Sequence, residues 1–476
     1  MKIIPYILIL FISFSCVSNV FAHKRAKFNI VVDTDGGADD LRSLTYIMAS
    51  RDFNINAITT VEGVLTPDVS TQFVKQLCNA FHHEGIPVGI GDVESKRAKS
   101  SVHDLNIWKQ IFEINSGFNF ENSVDILEMA ISSESRRTTI IAMGPLTNIA
   151  KLVNKHPELI PKIETVIWYS DFNTKPDGYR YNYDKGAFKD LMNKQIPVKM
   201  ISAQGTTYWN SFLTSCSSIK SVYAQAIFKA FVETESKDSI MYYYDDLLPF
   251  YLLYPSMFEE ESVLEYATLV KPSLRNNIFD VLASSVLNFD KPDQGVIYNE
   301  LPTGGFYLRS DLGNFTDTII KTHGYTEFKL TSLTSEIHSH LGVYSILGAK
   351  TGLRIMEYLH AGLDEIEIVS YAGYNPPISC FNDGLQVGTG ATIGYGAISV
   401  DTTKAIEPAV LVKYNGREIL FSIKPKVINE IKFDISGLVK TYGLDSEMYW
   451  IKLREISIKK YWLGMSRYDI LDVEEL

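Results

Sequence analysis

From residue 28 onward the apolar positions switch repeatedly between two rhythms. Residues 28–32 form a short, continuous apolar run of β type, and Leu41, Leu44, Met48 and Ala49 then recur at helical spacing. The same alternation predicts strands at 55–61, 86–90, 138–143, 166–169 and 198–202, with helices at 69–81 and 146–153. Buried strands alternating with helices predict an α/β fold, a doubly wound, mostly parallel sheet with helices on both faces. In such a sheet ligands collect beyond the carboxyl ends of the strands, so the polar loops there are the place to look for chemistry.

Past residue 218 the pattern becomes helical and aromatic-rich, with Tyr242, Tyr243, Tyr244, Phe250, Tyr251 and Tyr254. These rings read either as a packed helical layer or as a stacking wall for a planar base. Residues 326–335 are polar, rich in Thr and Ser, and read as a linker. A new pattern, with a helical stretch at 343–359, begins at Glu336. The expected organisation is therefore an α/β domain at 27–330 followed by a smaller α+β domain at 336–476, in keeping with a chain of 476 residues.

The net charge of -11 argues against a nucleic-acid polymer as partner, since phosphates demand a basic surface. Met1-Lys2, a run of about 15 apolar residues and Val20-Phe21-Ala22 resemble an export signal, residues 1–22, cleaved after Ala22. That run is short for a bilayer core of ~30 Å, and no later segment is long and apolar enough to span one. The mature chain is thus expected to be periplasmic or secreted without a transmembrane helix; a lipid on Cys16 is the alternative. Only Cys78, Cys216 and Cys380 would remain after cleavage, which is no disulfide framework. Cys78, within an apolar helical stretch, reads as a packing residue.

The segment Asp33-Thr34-Asp35-Gly36-Gly37-Ala38-Asp39-Asp40 changes the picture most. Asp33 and Asp35, two apart at a strand end, leave on the same face. Gly36-Gly37 permits a sharp turn, and Asp39 and Asp40 open the next helix, where the dipole favours carboxylates. Four acids in one loop repel unless a cation joins them, and hard oxygen donors without Cys or His point to Ca²⁺ or Mg²⁺, with Ca²⁺ preferred. The twelve-residue spacing of an EF-hand is absent.

This string resembles the DTDxGxDD signature of the inosine-uridine nucleoside hydrolase family. Two further landmarks follow: Gly144-Pro145-Leu146-Thr147-Asn148-Ile149-Ala150 is similar to the family's GPLTNIA turn, and the segment from Tyr244 and Asp245 to Pro255 to its HDPLAxxxLLxP. The resemblance implies a calcium ion held by Asp35, Asp40, the Met143 carbonyl and Asp245, with Asp280 a rival for the last position. It also implies Asp35 as the base that takes a proton from water attacking the anomeric carbon, and Asp39 and Asn182 as sugar contacts. The expected substrate is a small nucleoside or riboside, and a homo-oligomer is one assembly compatible with the family.

Three positions depart from the family. Val64 stands where the family has Asn, Arg180 replaces an acidic sugar contact, and Tyr244 replaces a His linked to protonating the leaving base. Arg180 reads either as a contact to an anionic group or as a surface ion pair. The altered contacts keep a second reading open, a calcium-dependent nucleoside- or sugar-binding protein with lost or weak turnover. In the C-terminal part, Ile337-His338-Ser339-His340-Leu341-Gly342, Ser379-Cys380-Phe381-Asn382-Asp383 and Thr389-Gly390-Ala391-Thr392 resemble the FmdE-like domain associated with formylmethanofuran dehydrogenase. A transition metal at His338, His340, Cys380 and Asp383 is the corresponding expectation. Gly342 and Ala391 stand where that family has cysteines.

Overall fold

Strand β1 (Phe28–Thr34) runs through a nine-stranded sheet whose strands lie in the order β10-β11-β9-β6-β5-β1-β2-β3-β4. Its members are β2 (Phe53–Thr60), β3 (Val88–Ile90), β4 (Glu121–Asn122), β5 (Thr138–Met143), β6 (Ile163–Tyr169), β9 (Val198–Ser202), β10 (Phe258–Glu260) and β11 (Ala267–Val270). All neighbours pair in parallel except β10 with β11. A small hairpin, β7 (Asp171–Phe172) with β8 (Pro176–Asp177), follows β6. The computed structural model describes residues 26–94, 102–112, 118–172, 176–204, 216–219, 221–231, 245–260, 267–275, 278, 297, 300–304 and 306–476. The export signal with Cys16, the rings of Tyr242, Tyr243 and Tyr244, and Asp280 lie outside these residues.

The continuous apolar character of β1 follows from burial on both faces. Ile30 and Val32 pack with Leu44 and Ile47 of α1 (Ala38–Ala49) and with Phe73 and Leu77 of α2 (Pro67–Ala80). Val31 faces the opposite layer, with Leu127 of α4 (Ser123–Ser132) and Ile149 and Leu152 of α5 (Thr147–Lys155). Among the described residues, α3 (Val102–Ile111), α6 (Gly178–Tyr183) and α7 (Lys185–Asn193) are the further α-helices before β9. Cys78 is fully buried in the first layer, as its spacing predicts.

The segment expected to be a linker is instead the helix Tyr325–Ile337. Its hydroxyls bond back to the preceding turn, Thr334 Oγ1 to Leu330 O at 2.8 Å and Ser335 Oγ to Thr331 O at 2.8 Å, so Thr and Ser do not break it. Phe328 anchors it in a cluster with Leu341, Ile346 and Trp462. The C-terminal part forms a second, five-stranded sheet in the order β13-β12-β14-β15-β16, from β12 (Glu367–Ser370), β13 (Ile398–Val400), β14 (Ala409–Tyr414), β15 (Arg417–Ile423) and β16 (Leu471–Glu475). The predicted helix at 343–359 is there as Val343–Leu359.

The two parts meet at one end of the large sheet. His360 Nε2 lies 2.7 Å from Met48 O, Arg354 bonds His82 O at 2.9 Å and Glu84 at 2.7 Å, and Asn415 Nδ2 donates to Asn56 at 2.7 Å. Arg417 donates to Gly85 O at 2.6 Å, and the Tyr414 hydroxyl bonds Asn54. Met48 ends α1, Asn54 and Asn56 open β2, and residues 82–85 join α2 to β3. Every one of these positions lies at the amino ends of the parallel strands. The aspartate loop is at the carboxyl end of β1, one strand length away, about 20–25 Å for seven residues.

Candidate active site

The aspartate loop is stitched from its own residues. Asp40 Oδ2 accepts from the backbone N–H groups of Asp35 (3.1 Å) and Gly36 (3.0 Å) and from the Thr34 hydroxyl. Trp108 Nε1 donates to Gly36 O at 2.9 Å, and the Leu65 N–H to Asp35 O at 3.0 Å. Gly36 takes φ 79°, a conformation that a side chain disfavours. Asp33 is turned behind the loop, where its Oδ1 accepts from Thr59 Oγ1 (2.7 Å) and Asn148 Nδ2 (2.9 Å). Burial pushes its carboxyl up to about 7. Asn148, in the predicted Gly-Pro-Leu-Thr-Asn turn, thereby ties β1 to β2 through Thr60 O as well (2.8 Å).

Asp245 arrives from 200 residues away because a buried pair places it. Arg42 on α1 forks onto Asp246, Nε to Oδ1 at 3.2 Å and Nη2 to Oδ2 at 2.6 Å, with both side chains wholly buried. Ser43 Oγ donates to Asp245 O at 3.1 Å. These contacts set the helix Leu247–Leu253 against α1 and present the Asp245 carboxylate to Asp39 and Asp40.

Ligand oxygens of Asp39, Asp40 and Asp245 lie within 4.8 Å of one another. A β-carbon on Gly37 would sit 2.7 Å from Asp39 Oδ1, 3.2 Å from Asp40 Oδ1 and 3.7 Å from Asp35 Oδ1, so three acids converge on the space that this glycine leaves open. Burial, and then the charge of Asp245, push the Asp39 carboxyl up to about 7 and hold that of Asp40 well above its ordinary range. Buried like charges at this spacing hold protons or a cation, and an all-oxygen donor set fits a hard divalent ion. Among the described residues, Asp40 Oδ1 is buried without a hydrogen-bond partner, and it borders the space over Gly37.

Asp35 is fully buried and is clamped by two glycines. A β-carbon on Gly63 would lie 2.4 Å from its Oδ2, and one on Gly144 would lie 3.0 Å from its β-carbon. Met143, immediately before Gly144, pairs with Thr34 at the end of β5, so its carbonyl belongs to the same strand ends. The sequence does not single out Gly63 as a site residue. Its signals are its place just beyond β2, the parallel neighbour of β1, and its match to the glycine of the Gly-Asn pair that the family resemblance puts there.

Arg180 enters the acid cluster itself. Its Nη1 and Nη2 donate to the two oxygens of Asp245, each at 2.5 Å, and Nη2 lies 3.6 Å from Asp40 Oδ1 and 3.9 Å from Asp39 Oδ2. Its guanidinium carbon is 5.2 Å from the centre of the Tyr169 ring. Burial opposes the charge, but Asp245 and Asp35 more than offset it and raise the pKa further. Asn182, two residues on, donates to Asp177 at 3.0 Å rather than turning to the acids. Tyr179, also absent from the sequence reading, stands half exposed near Asp35; burial first, then that charge, raise its phenol. Tyr244 lies outside the described residues.

In the C-terminal part, His338 Nδ1 lies 2.7 Å from Asp383 Oδ2, and the rings of His338 and His340 are 4.2 Å apart. A β-carbon on Gly342 would lie 3.2 and 3.1 Å from their Nε2 atoms. Cys380 is half-buried, and burial raises its thiol. Among the described residues, Asp39, Asp40 and Asp245 form the one group of three or more such side chains whose ligand atoms already lie close enough to share an ion. The two imidazoles face the space that Gly342 leaves without a side chain.

Residues 30–273 match the profile of the family described as inosine-uridine preferring nucleoside hydrolase, and residues 337–447 that of FmdE, molybdenum formylmethanofuran dehydrogenase operon. The pyrimidine-specific ribonucleoside hydrolase RihA of Salmonella schwarzengrund (strain CVM19633) is 29% identical over 148 residues, which cover 29% of this chain and 46% of that protein. RihA of Salmonella agona (strain SL483) is 28% identical with the same coverage. The chain spans about half the length of the curated relatives it matches. Among solved structures, the inosine-uridine preferring nucleoside hydrolase of Bacillus anthracis is 14% identical with a TM-score of 0.46, covering 55% of this chain and 99% of that one. The purine-preferring ribonucleoside hydrolase of Gardnerella vaginalis is 15% identical with a TM-score of 0.43, covering 55% and 98%. With half of its length matched to that profile, and with the acid loop of β1 inside the match, the chain belongs to the inosine-uridine preferring nucleoside hydrolase family.

Proposed function

We propose that this protein hydrolyses the N-glycosidic bond of ribonucleosides or related ribosides, with a calcium ion at the acid cluster. The observation that carries the reading is the convergence of Asp35, Asp39 and Asp40 on the space over Gly37, at the carboxyl end of the sheet, with Asp245 delivered to the same acids. Bound there, calcium would polarise a water and the sugar diol. Asp35, packed against Gly63 and Gly144, takes the proton from the attacking water. Asp39, at the outer side of the cluster, accepts from a sugar hydroxyl. The surrounding carboxylates stabilise the positive charge that develops on the sugar as the base departs. The protein acts outside the cytoplasm once residues 1–22 are removed, which N-terminal sequencing of the mature chain would check.

A nucleoside panel followed by a reducing-sugar assay tests the activity. Free ribose should appear, stop with EDTA and return with calcium. Asp35→Ala should lower turnover by about 10²-fold or more, as loss of a general base does. Full turnover in Asp35→Ala would remove that residue from the role. The Arg180–Asp245 fork favours a second reading, a protein that binds ribosides without cleaving them. Saturable binding of a nucleoside with no ribose released would select it.

A further inference from the structure

We propose that Arg180 is an internal counter-ion of the acid cluster, so that the Arg180–Asp245 pair and a divalent ion at Asp39, Asp40 and Asp245 exclude one another. The argument is first one of shared oxygens. The guanidinium uses both oxygens of Asp245 at 2.5 Å, and its Nη2 also reaches Asp40 Oδ1 and Asp39 Oδ2 at 3.6 and 3.9 Å. Those are the same three residues whose oxygens come within 4.8 Å of one another. A calcium ion needs such oxygens at about 2.3–2.6 Å. One nitrogen facing an oxygen of all three carboxylates therefore stands inside the polyhedron that the ion would take.

The second strand is charge. Arg180 brings one positive charge to a cluster of Asp35, Asp39, Asp40 and Asp245, while Arg42 is already committed to Asp246. Counted as carboxylates, the four acids exceed the charge of one guanidinium, so a dication has charge left to offset. The third is tethering. Arg180 sits in the short helix α6, just beyond the β7–β8 hairpin, and its guanidinium carbon lies near the Tyr169 face. It is thus held at the cluster by the fold, at high effective concentration, rather than meeting it by chance. The consequence is that metal affinity is set against an intramolecular competitor, and that metal entry releases a cation at the mouth of the site.

This inference rests on the metal reading given above, and the experiment separates the two. Calcium alone is titrated calorimetrically into chelator-treated full-length wild type and Arg180→Gln, with ribose release measured in parallel. Arg180→Gln should bind calcium about tenfold or more tightly, within the range of coupled sites, and its calcium-free form should melt below calcium-free wild type. Calcium binding in Arg180→Gln but not in wild type supports the proposal equally. Equal or weaker binding in Arg180→Gln overturns the proposal, and EDTA-sensitive ribose release in that case leaves the hydrolase reading standing. No binding in either protein overturns it as well, and the calcium assignment with it. Tighter binding in Arg180→Gln without ribose release from either protein supports the counter-ion and removes the hydrolase. Should Arg180→Gln fail to fold, the Arg180 guanidinium resonances of wild type decide. Their protection from exchange should vanish on saturation with calcium, and persistence overturns the proposal.

Discussion

At the scale of single residues, the site is built as much from missing side chains as from present ones. Gly37 leaves room for three carboxylates, and Gly63 and Gly144 leave room for one, Asp35. Gly63→Ala would drive a methyl group into Asp35 Oδ2, at 2.4 Å, and the carboxylate would have to move. Displacement of a reacting group by about 1 Å costs on the order of 10²-fold in rate. Gly63→Ala should therefore lower kcat for ribose release by about that factor, with a lower melting temperature from the overpacking. An unchanged kcat would show that Asp35 tolerates displacement and does no chemistry. The glycine is invisible as a functional residue in the sequence because its role depends on a carboxylate from a different strand.

At the scale of elements, the pair Arg42–Asp246 decides where Asp245 goes. Both partners are fully buried, so removing one leaves an uncompensated charge, which costs about 3–5 kcal/mol. Arg42→Ala should destabilise by that amount in denaturant unfolding and should also weaken calcium binding, since the helix Leu247–Leu253 loses its anchor on α1. Replacing both residues by apolar ones should recover much of the stability but not the metal affinity. Loss of less than about 1 kcal/mol in Arg42→Ala would show the pair to be solvated rather than buried. A charged residue within the apolar face of α1 is the available signal. Its partner cannot be assigned from sequence, because the separation of 204 residues says nothing about contact.

At the scale of the whole molecule, the second sheet is fastened to the end of the first that is remote from the acids. His83 and His360 lie in that junction, edge to face with ring centroids 4.5 Å apart. His83 Nδ1 faces the Glu357 carbonyl at 2.7 Å and must donate, and Nε2 lies 2.9 Å from the Tyr223 hydroxyl, which can donate to it or accept from it. Burial favours the neutral ring, with the Tyr223 hydroxyl as donor. Burial, with His360 next, holds the His83 pKa well below 6.5, and burial lowers that of His360 too. The separated or unfolded chain takes up these protons near 6.5 and the docked one does not, so acid favours separation. Stability from this junction is present above pH 6.5 and is lost as pH falls below it. The melting temperature should fall between about pH 6.5 and 5, and His83→Gln should flatten that part of the profile. A profile identical to that of wild type would exclude the junction as its cause.

Much of this is readable along the chain, where the information is local. The strand and helix at 138–153 and the strand at 198–202 follow from apolar rhythm, and the Asp33–Asp40 loop announces a cation site by four acids within eight residues. Asp245 is placed by its neighbours in the resemblance. The Thr- and Ser-rich segment at 326–335 departs from expectation because hydroxyl groups suit turns, whereas here they bond back along the helix Tyr325–Ile337, which Phe328 anchors. What tertiary structure alone decides is which distant groups share a volume. The departure of Arg180 from the family pattern is visible in the sequence, but its meeting with Asp245, 65 residues away, depends on where β6 and α6 end in space. Periodicity records which face a side chain takes on its own element; charge pairing across elements is settled only when the sheet has brought their ends together.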